Sequence, residues 1–364
     1  GSNGLLQTAT NNTPRIEYNA DGTVKGLLIE EARTNLLPYS EDFSNSGWAK
    51  DNLTVETGVT SPDGTTASDR LTANTNGFTH LYPSTRSSTI GVTYSTSVFA
   101  KANTHNIVQL NAPSTSSIFV NFNLTTGVKG TENGCTASIQ SVGNGWYKCS
   151  ITWVSASTLN SFGFSIVDNI TSGRTTATTA GYSVDVYGAQ LEAGAFPTSY
   201  IPTTGSTATR AADVATIPTA NFGYNSNAGS VLVEAQRFGT NNYPRSVMID
   251  AGSESNSIGL GAWGPNTSLT GYIVSGNVVQ AAPGTGNVGS SAFKNSLAYK
   301  ENNFAASRDG GTVVTDTSGV VPTGLTTLRL GRNGVDAQFL NAHIKSIQYY
   351  PRRLSNAQLQ ELTT

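Results

Sequence analysis

The sequence predicts an all-β protein: two antiparallel β-sandwich (jelly-roll) domains in tandem, closed by a short C-terminal helical turn. Three observations carry this expectation. Apolar residues recur at every second position in many short segments, clusters of Gly, Asn, Ser and Thr separate those segments, and a Pro/Gly/Thr-rich stretch interrupts the pattern past the middle of the chain. Period 2 marks a strand with one buried face, because successive side chains point to opposite sides of a sheet.

Composition narrows the class further. The 364 residues suggest about two domains at roughly 100–200 residues each. Only 12% are charged, the net charge is −2 and there are 38 glycines, so hydroxyls and amides rather than ions keep the surface wet. With no Lys/Arg cluster to neutralise phosphates, nucleic-acid binding has little support. No apolar run approaches the ~18–20 residues of a membrane span, and the N-terminus lacks a basic-then-apolar leader, so no membrane insertion is expected.

Taken in order, residues 1–34 read as an N-terminal extended arm packing on the first domain. Pro14–Tyr18 is a short strand, and Asp21-Gly22 supplies a turn that tolerates positive φ. In Gly26–Leu37 (GLLIEEARTNLL), Glu30, Glu31 and Arg33 are expected to pair with one another or with the interdomain junction, an ion-pair cluster rather than a catalytic carboxylate pair.

Residues 35–203 form the first jelly roll. Ile118, Val120, Phe122 and Leu124 alternate with polar positions. So do Tyr147, Cys149, Ile151 and Trp153, then Tyr94, Thr96, Val98 and Ala100, then Phe162, Phe164 and Ile166. Cys135 and Cys149 flank a hairpin turn at Val142–Gly145, and their spacing leaves open both a cross-strand disulfide and two separate thiols. Tyr182, Val184 and Val186 give the last strand. Pro197, Pro202 and the Thr203–Thr209 run then forbid its continuation, which sets a linker at 204–228.

Residues 229–364 form the second sandwich. Its strand candidates run from Ser230–Arg237 to Thr326–Gly331, and Asp309-Gly310 is a hairpin signal. Ser355-Asn356-Ala357-Gln358 has capping-box spacing, and Leu359 and Leu362 give an amphipathic turn expected to close the sandwich edge.

Chemistry is sparse. His80, His105 and His343 show no close metal-ligand spacing, no G-x-S-x-G surrounds a serine, and Gly284–Gly289 reads as a turn rather than a phosphate cradle. A glycosidase needs two carboxylates about 5–9.5 Å apart. Asp250 and Glu254, across Gly252, are the candidates, although capping of turn amides is the favoured reading for both.

Five stretches together resemble a bacteriophage and prophage tail-associated family. They are Gly26–Lys50, GNGWYKCSITW (Gly143–Trp153), YGAQLEAGAFPTSYIPTTGSTATRAAD (Tyr187–Asp213), LAYKENNFAASRDGG (Leu297–Gly311) and HIKSIQYYPRRLSNAQLQEL (His343–Leu362). The resemblance implies a carbohydrate-binding-module-like jelly roll followed by a concanavalin/laminin-G-like, lectin-like sandwich. It also implies a virion tail location, other tail proteins as partners, a homo-oligomer, and host attachment through bacterial surface polysaccharide without catalysis. A purely structural tail component and a glycan-degrading depolymerase are the alternatives.

Carbohydrate binding needs rings that stack on sugar faces, with amides and carboxylates for hydroxyls. Trp48, Tyr82, Tyr243, Trp263 and Tyr272 lie near expected loops or strand edges and are the candidates, with core packing the competing role for each. Jelly rolls similar to such modules often hold a structural calcium between first and last strands. The resemblance points to Asp185, with Glu41 or Asp42 as partner, against the equal alternative of a solvent-facing strand aspartate.

Overall fold

The computed structural model describes all residues except Arg86, 113–117, 160–161, 239–243, 263–267, 288–291 and 336–337, and the side chains of 268–270 and 287 are also outside the description. Its described residues are almost entirely strand and turn, with one α-helix, Asn356–Leu362, and one 3₁₀ turn, Thr219–Asn221. The chain forms two compact units.

The first unit comprises residues 1–8, 18–23 and 32–211. It pairs two six-stranded sheets. One runs in the spatial order Val128–Asn133, Phe119–Asn123, Ile107–Asn111, Gly163–Ile166, His80–Pro83, Trp48–Asp51. The other runs Thr136–Gly143, Trp146–Val154, Thr93–Ala102, Ser183–Ala193, Ser68–Ala73, Leu53–Val59. Between them lies the core the alternation anticipates: Val108, Leu110, Val120, Phe122 and Phe164 from one sheet meet Val98, Cys149, Ile151, Trp153, Val184 and Val186 from the other. Burying each large apolar side chain contributes about 1.5–3 kcal/mol, which sets the sheets face to face.

The hairpin register decides the cysteine question. Thr136 opposes Thr152 and Ile139 opposes Cys149, so Cys135 lies four residues from the position that could bridge. Both thiols are free. Burial pushes the Cys135 thiol up to about 11 and Cys149 further. We expect the purified chain to alkylate at both positions once unfolded without reductant. A mass short by two labels would contradict this.

The second unit comprises residues 9–17, 24–31 and 212–364. Its first sheet runs Ile16–Tyr18, Val24–Ile29, Ala342–Tyr350, Ala228–Arg237, Ala292–Lys300, Phe304–Arg308, Val314–Asp316. The facing sheet runs Thr216–Pro218, Thr327–Leu330, Arg245–Asp250, Ser257–Ala262, Ser268–Ser275, Val278–Ala281, with Gly284–Asn287 also paired to Ser268–Ser275. Val231, Val233, Val247, Ile249, Ile258, Leu260, Ile273, Leu297 and Phe304 fill the space between.

Two expectations change here. Much of the arm expected on the first domain belongs to the second unit: Leu27, Leu28 and Ile29 pair with Ile344, His343 and Ala342, because burying Leu28 and Ile29 in that sheet hides apolar surface. The ion cluster gains a member: Glu30 and Arg33 bond the junction stretch, as expected, and Arg15, which was not foreseen, is the cation that joins Glu30 to Asp213. Arg15 donates to Glu30 at 2.9 Å and to Asp213, which also accepts the Glu30 amide N–H at 2.7 Å. Arg33 donates to the Ala193 carbonyl and lies over the Phe196 ring.

The C-terminal helix starts as expected. Ser355 Oγ accepts the Gln358 N–H, and Gln358 Oε1 accepts the Ser355 N–H. It covers a sheet face rather than an edge, since Leu359 packs with Leu354, Leu232, Ala298 and Ala305.

Candidate functional site

The outer face of the first unit's 107–111 sheet carries polar side chains where a free sheet surface would be wet. Register builds it. Phe119 opposes Asn111, which opposes Gly163, and Asn121 opposes Gln109, which opposes Ser165. Phe164 opposes Leu81, which sets Gly163 beside Tyr82 and Ser165 beside His80. Laterally opposed residues share a face, so these two rows point away from the core residues Val108, Leu110, Val120 and Phe122.

The row through Gln109 and Asn121 is fully buried and closed by the chain at 170–175. Gln109 Nε2 donates to Asn121 Oδ1 at 2.8 Å and to the Gly173 carbonyl at 2.9 Å, and its Oε1 accepts the Thr175 N–H at 2.8 Å. Asn121 Nδ2 donates to the Ser172 carbonyl at 2.6 Å. Each amide is thereby satisfied, as burial demands.

Toward Asn111 the character shifts. The His80 Nε2 and Asn111 Oδ1 atoms are 3.1 Å apart, and the His80 and Tyr82 rings lie 4.8 Å apart at 45°, both half-buried. Gly163 is obligatory between them: a Cβ there would sit 2.2 Å from Asn111 Oδ1 and 2.7 Å from His80 Nε2. Beside them, Arg174 is anchored by its neighbours on Gln109 and reaches along the strand to donate to the Ala112 carbonyl at 3.2 Å. Burial lowers the pKa of this guanidinium, and it has no acidic partner among the described residues. From the Asn111 strand to the Tyr82 strand is two strand spacings, roughly 10 Å. An aromatic ring, an imidazole and a cationic donor over that span can stack on and hydrogen-bond a polyhydroxylated ligand.

Of the other expected rings, Trp48 and Tyr272 are corrected. Trp48 is 2% exposed, packs against Phe43 at 5.0 Å and Phe162 at 5.5 Å, and donates its indole N–H to the Tyr39 carbonyl. Tyr272 is 1% exposed and lies flat over Gly259, where a Cβ would meet its hydroxyl at 2.1 Å, beneath the Arg245 guanidinium. Neither has a free face for a sugar. Tyr243 and Trp263 fall outside the described residues.

The three carboxylates expected around a calcium do not fit one. Asp185 is cross-strand from Arg70 and accepts its Nε at 2.8 Å and Nη2 at 3.3 Å. Glu41 accepts the hydroxyls of Tyr187 and Tyr200 at 2.9 and 3.0 Å, and Asp42 caps its own turn through Ser44 and Asn45. No cluster of three or more His, Cys, Asp or Glu suited to a metal occurs among the described residues.

The proposed glycosidase carboxylates are likewise engaged. Asp250 is fully buried and holds Arg329 through both oxygens, at 2.6 and 3.2 Å, besides accepting the Gly252 N–H. Glu254 accepts Asn333 at 2.7 Å and lies 3.8 Å from Arg245.

Sequence reasoning named Tyr82 as a candidate ring and did not name His80, Asn111, Gly163 or Arg174, which the structure places on the same face. The available signal was the polar half of the alternation: Gln109, Asn111 and Asn121 are uncharged amides at outward positions of strands whose inward positions are all apolar.

No family model matches the chain, and no curated protein matches it. Among solved structures, the chain is similar to the CBM40 of the Ruminococcus gnavus IT-sialidase bound to α2,3-sialyllactose, at 13% identity over 38% of this chain and 84% of that one, with TM-score 0.33. Sheep galectin-11 with glycerol is similar at 9% identity, over 38% of this chain and 99% of that one, TM-score 0.27. Mouse laminin α1 domains LG4-5 are similar at 9% identity, over 96% of this chain and 97% of that one, TM-score 0.26.

Proposed function

We propose that the protein binds glycans through the Tyr82 end of this face, as a non-enzymatic attachment protein. The observation that carries the reading is the half-buried Tyr82 ring, set against His80, with Arg174 bonded to Ala112 two strands away and its guanidinium neutralised by no described acid. Such a face is shallow. Single-site affinity would be modest, and display of several copies would raise it by effective concentration without new contacts. The resemblance of the five sequence stretches to phage tail-associated proteins is the ground for bacterial surface polysaccharide as the target and a virion tail as the setting, with other tail proteins and copies of this chain as neighbours.

The test is binding of the purified chain to an array of bacterial surface polysaccharides, with bound glycans sized afterward. Saturable binding to intact glycan is expected. Tyr82→Ala should weaken it roughly 2- to 13-fold, the range for losing one aromatic contact worth about 0.5–1.5 kcal/mol. Unchanged affinity in both Tyr82→Ala and Arg174→Gln would move binding off this face, and shortened glycans would indicate hydrolysis instead.

A further inference from the structure

The second unit has an open strand edge beside an apolar cleft. Strand Ala342–Tyr350 pairs along its length with Ala228–Arg237, but on its other side Val24–Ile29 reaches only Ala342, His343 and Ile344. At Gly26 the chain takes φ +142, so close to the strand that a Cβ would sit 2.6 Å from the Ile344 carbonyl oxygen. From Lys345 to Tyr350 no described residue continues the strand ladder on that edge.

The side chains at this edge repeat the pattern. Ile347 and Tyr349 point to the core side yet are only half-buried, as are Leu27, Ile217 and Phe222. With Leu328 these residues line a cleft of about 410 Å³ between the two sheets, within the roughly 300–1,000 Å³ of ligand pockets. Half-buried core side chains next to an unpaired edge are what a sheet shows where one strand is missing.

We infer that Lys345–Tyr350 receives an extended peptide segment of a partner protein by β-strand addition, with apolar side chains at alternate positions entering the cleft. Backbone pairing gives such a complex its affinity, and the cleft gives it a preference for apolar residues at i and i+2. The chain's own Val24–Ile29 strand is the template: it joins the same edge one step earlier and buries Ile29 in the core. A lone segment fits better than a second copy. A copy offering the same edge would bring its own facing sheet, and the two Thr216–Pro218 edges would meet across the cleft. This site is independent of the glycan face.

An array of random ten-residue peptides, probed with the full chain, tests the inference. Peptides with apolar residues two apart should be enriched, and the best of them should slow hydrogen exchange at alternate amides between Lys345 and Tyr350. Ile217→Glu should weaken that peptide at least tenfold. If this variant misfolds, Phe222→Ser, altered outside any strand, should do the same. No enrichment, binding without protection at 345–350, or a free chain already dimerised through those amides would overturn it.

Discussion

Asp250→Ala should destabilise the second unit by about 3–5 kcal/mol, the usual cost of removing one partner from a buried ion pair. Asp250 has no exposed surface and the Arg329 side chain is 14% exposed, so water replaces the lost carboxylate only in part. The pair sits on the outer face of its sheet, beside Met248, under chain that includes Ser253 and Gly334. Arg332 is nearby and already has its pKa lowered by burial and by Arg329, with Asp250 acting in the opposite sense. Without Asp250 two guanidiniums face each other. Urea unfolding should show the loss as a shift in midpoint at nearly constant slope. The double variant Asp250→Ala/Arg329→Met should recover much of it, because no uncompensated charge then remains. A catalytic Asp250 makes the opposite forecast: stability near that of the parent, with a glycan-shortening activity abolished. Equal losses in the single and double variants would show that cavity formation, and not the stranded charge, dominates.

Much of the fold was legible because it rests on the alternation of apolar residues, and burial rewards that alternation whatever the ligand. Phe119 to Asn123 and Tyr147 to Trp153 lie in strands as their parity requires, and the Ser355 capping box starts the C-terminal helix. What escaped depends on register, which parity does not specify. Cys135 and Cys149 flank the right turn, yet the pairing of Thr136 with Thr152 separates them. Leu27–Ile29 reads as part of an arm, yet its partner strand lies more than 300 residues later, at Ala342–Ile344. The candidate site was harder still. Trp48 and Tyr82 both look like loop-edge rings, and they lie on adjacent strands, but Trp48 opposes Pro83 and faces the core, whereas Tyr82 opposes Ala49 on the outside. One residue of register separates a core ring from an outward-facing one.

Asp69 shows the same parity working against expectation, with a consequence for pH. In the strand Ser68–Ala73, Asp69 shares its face with Leu71 and Ala73, so its carboxylate points inward and is 3% exposed. Burial pushes its pKa up to about 6; the Phe43 N–H, donated to it at 2.8 Å, and Lys50 pull the other way, while Asp42 adds repulsion. Lys50 gives no full compensation, since its ammonium is held by the carbonyls of Phe43, Ser44, Asn45 and Trp48. The folded state therefore binds the Asp69 proton more tightly than the unfolded chain, whose aspartate titrates near 4. Between pH ~4 and ~6 the folded state holds the extra proton, so this contribution is complete below ~4 and is lost as pH rises through ~6. A shift of about two units corresponds to at most ~3 kcal/mol. Asp69→Asn keeps an oxygen for the Phe43 N–H but cannot ionise, so it should stabilise the first unit at pH 7 and leave it little changed at pH 4. Asp63, with a lowered pKa and no part in the Asp69 shift, loses stability in acid and tilts both proteins alike. The informative quantity is thus the difference between variant and parent in urea midpoint, measured from pH 4 to 8. It should open as pH rises from 4 through 6, and curves that run parallel would mean that Asp69 is solvated in the folded protein.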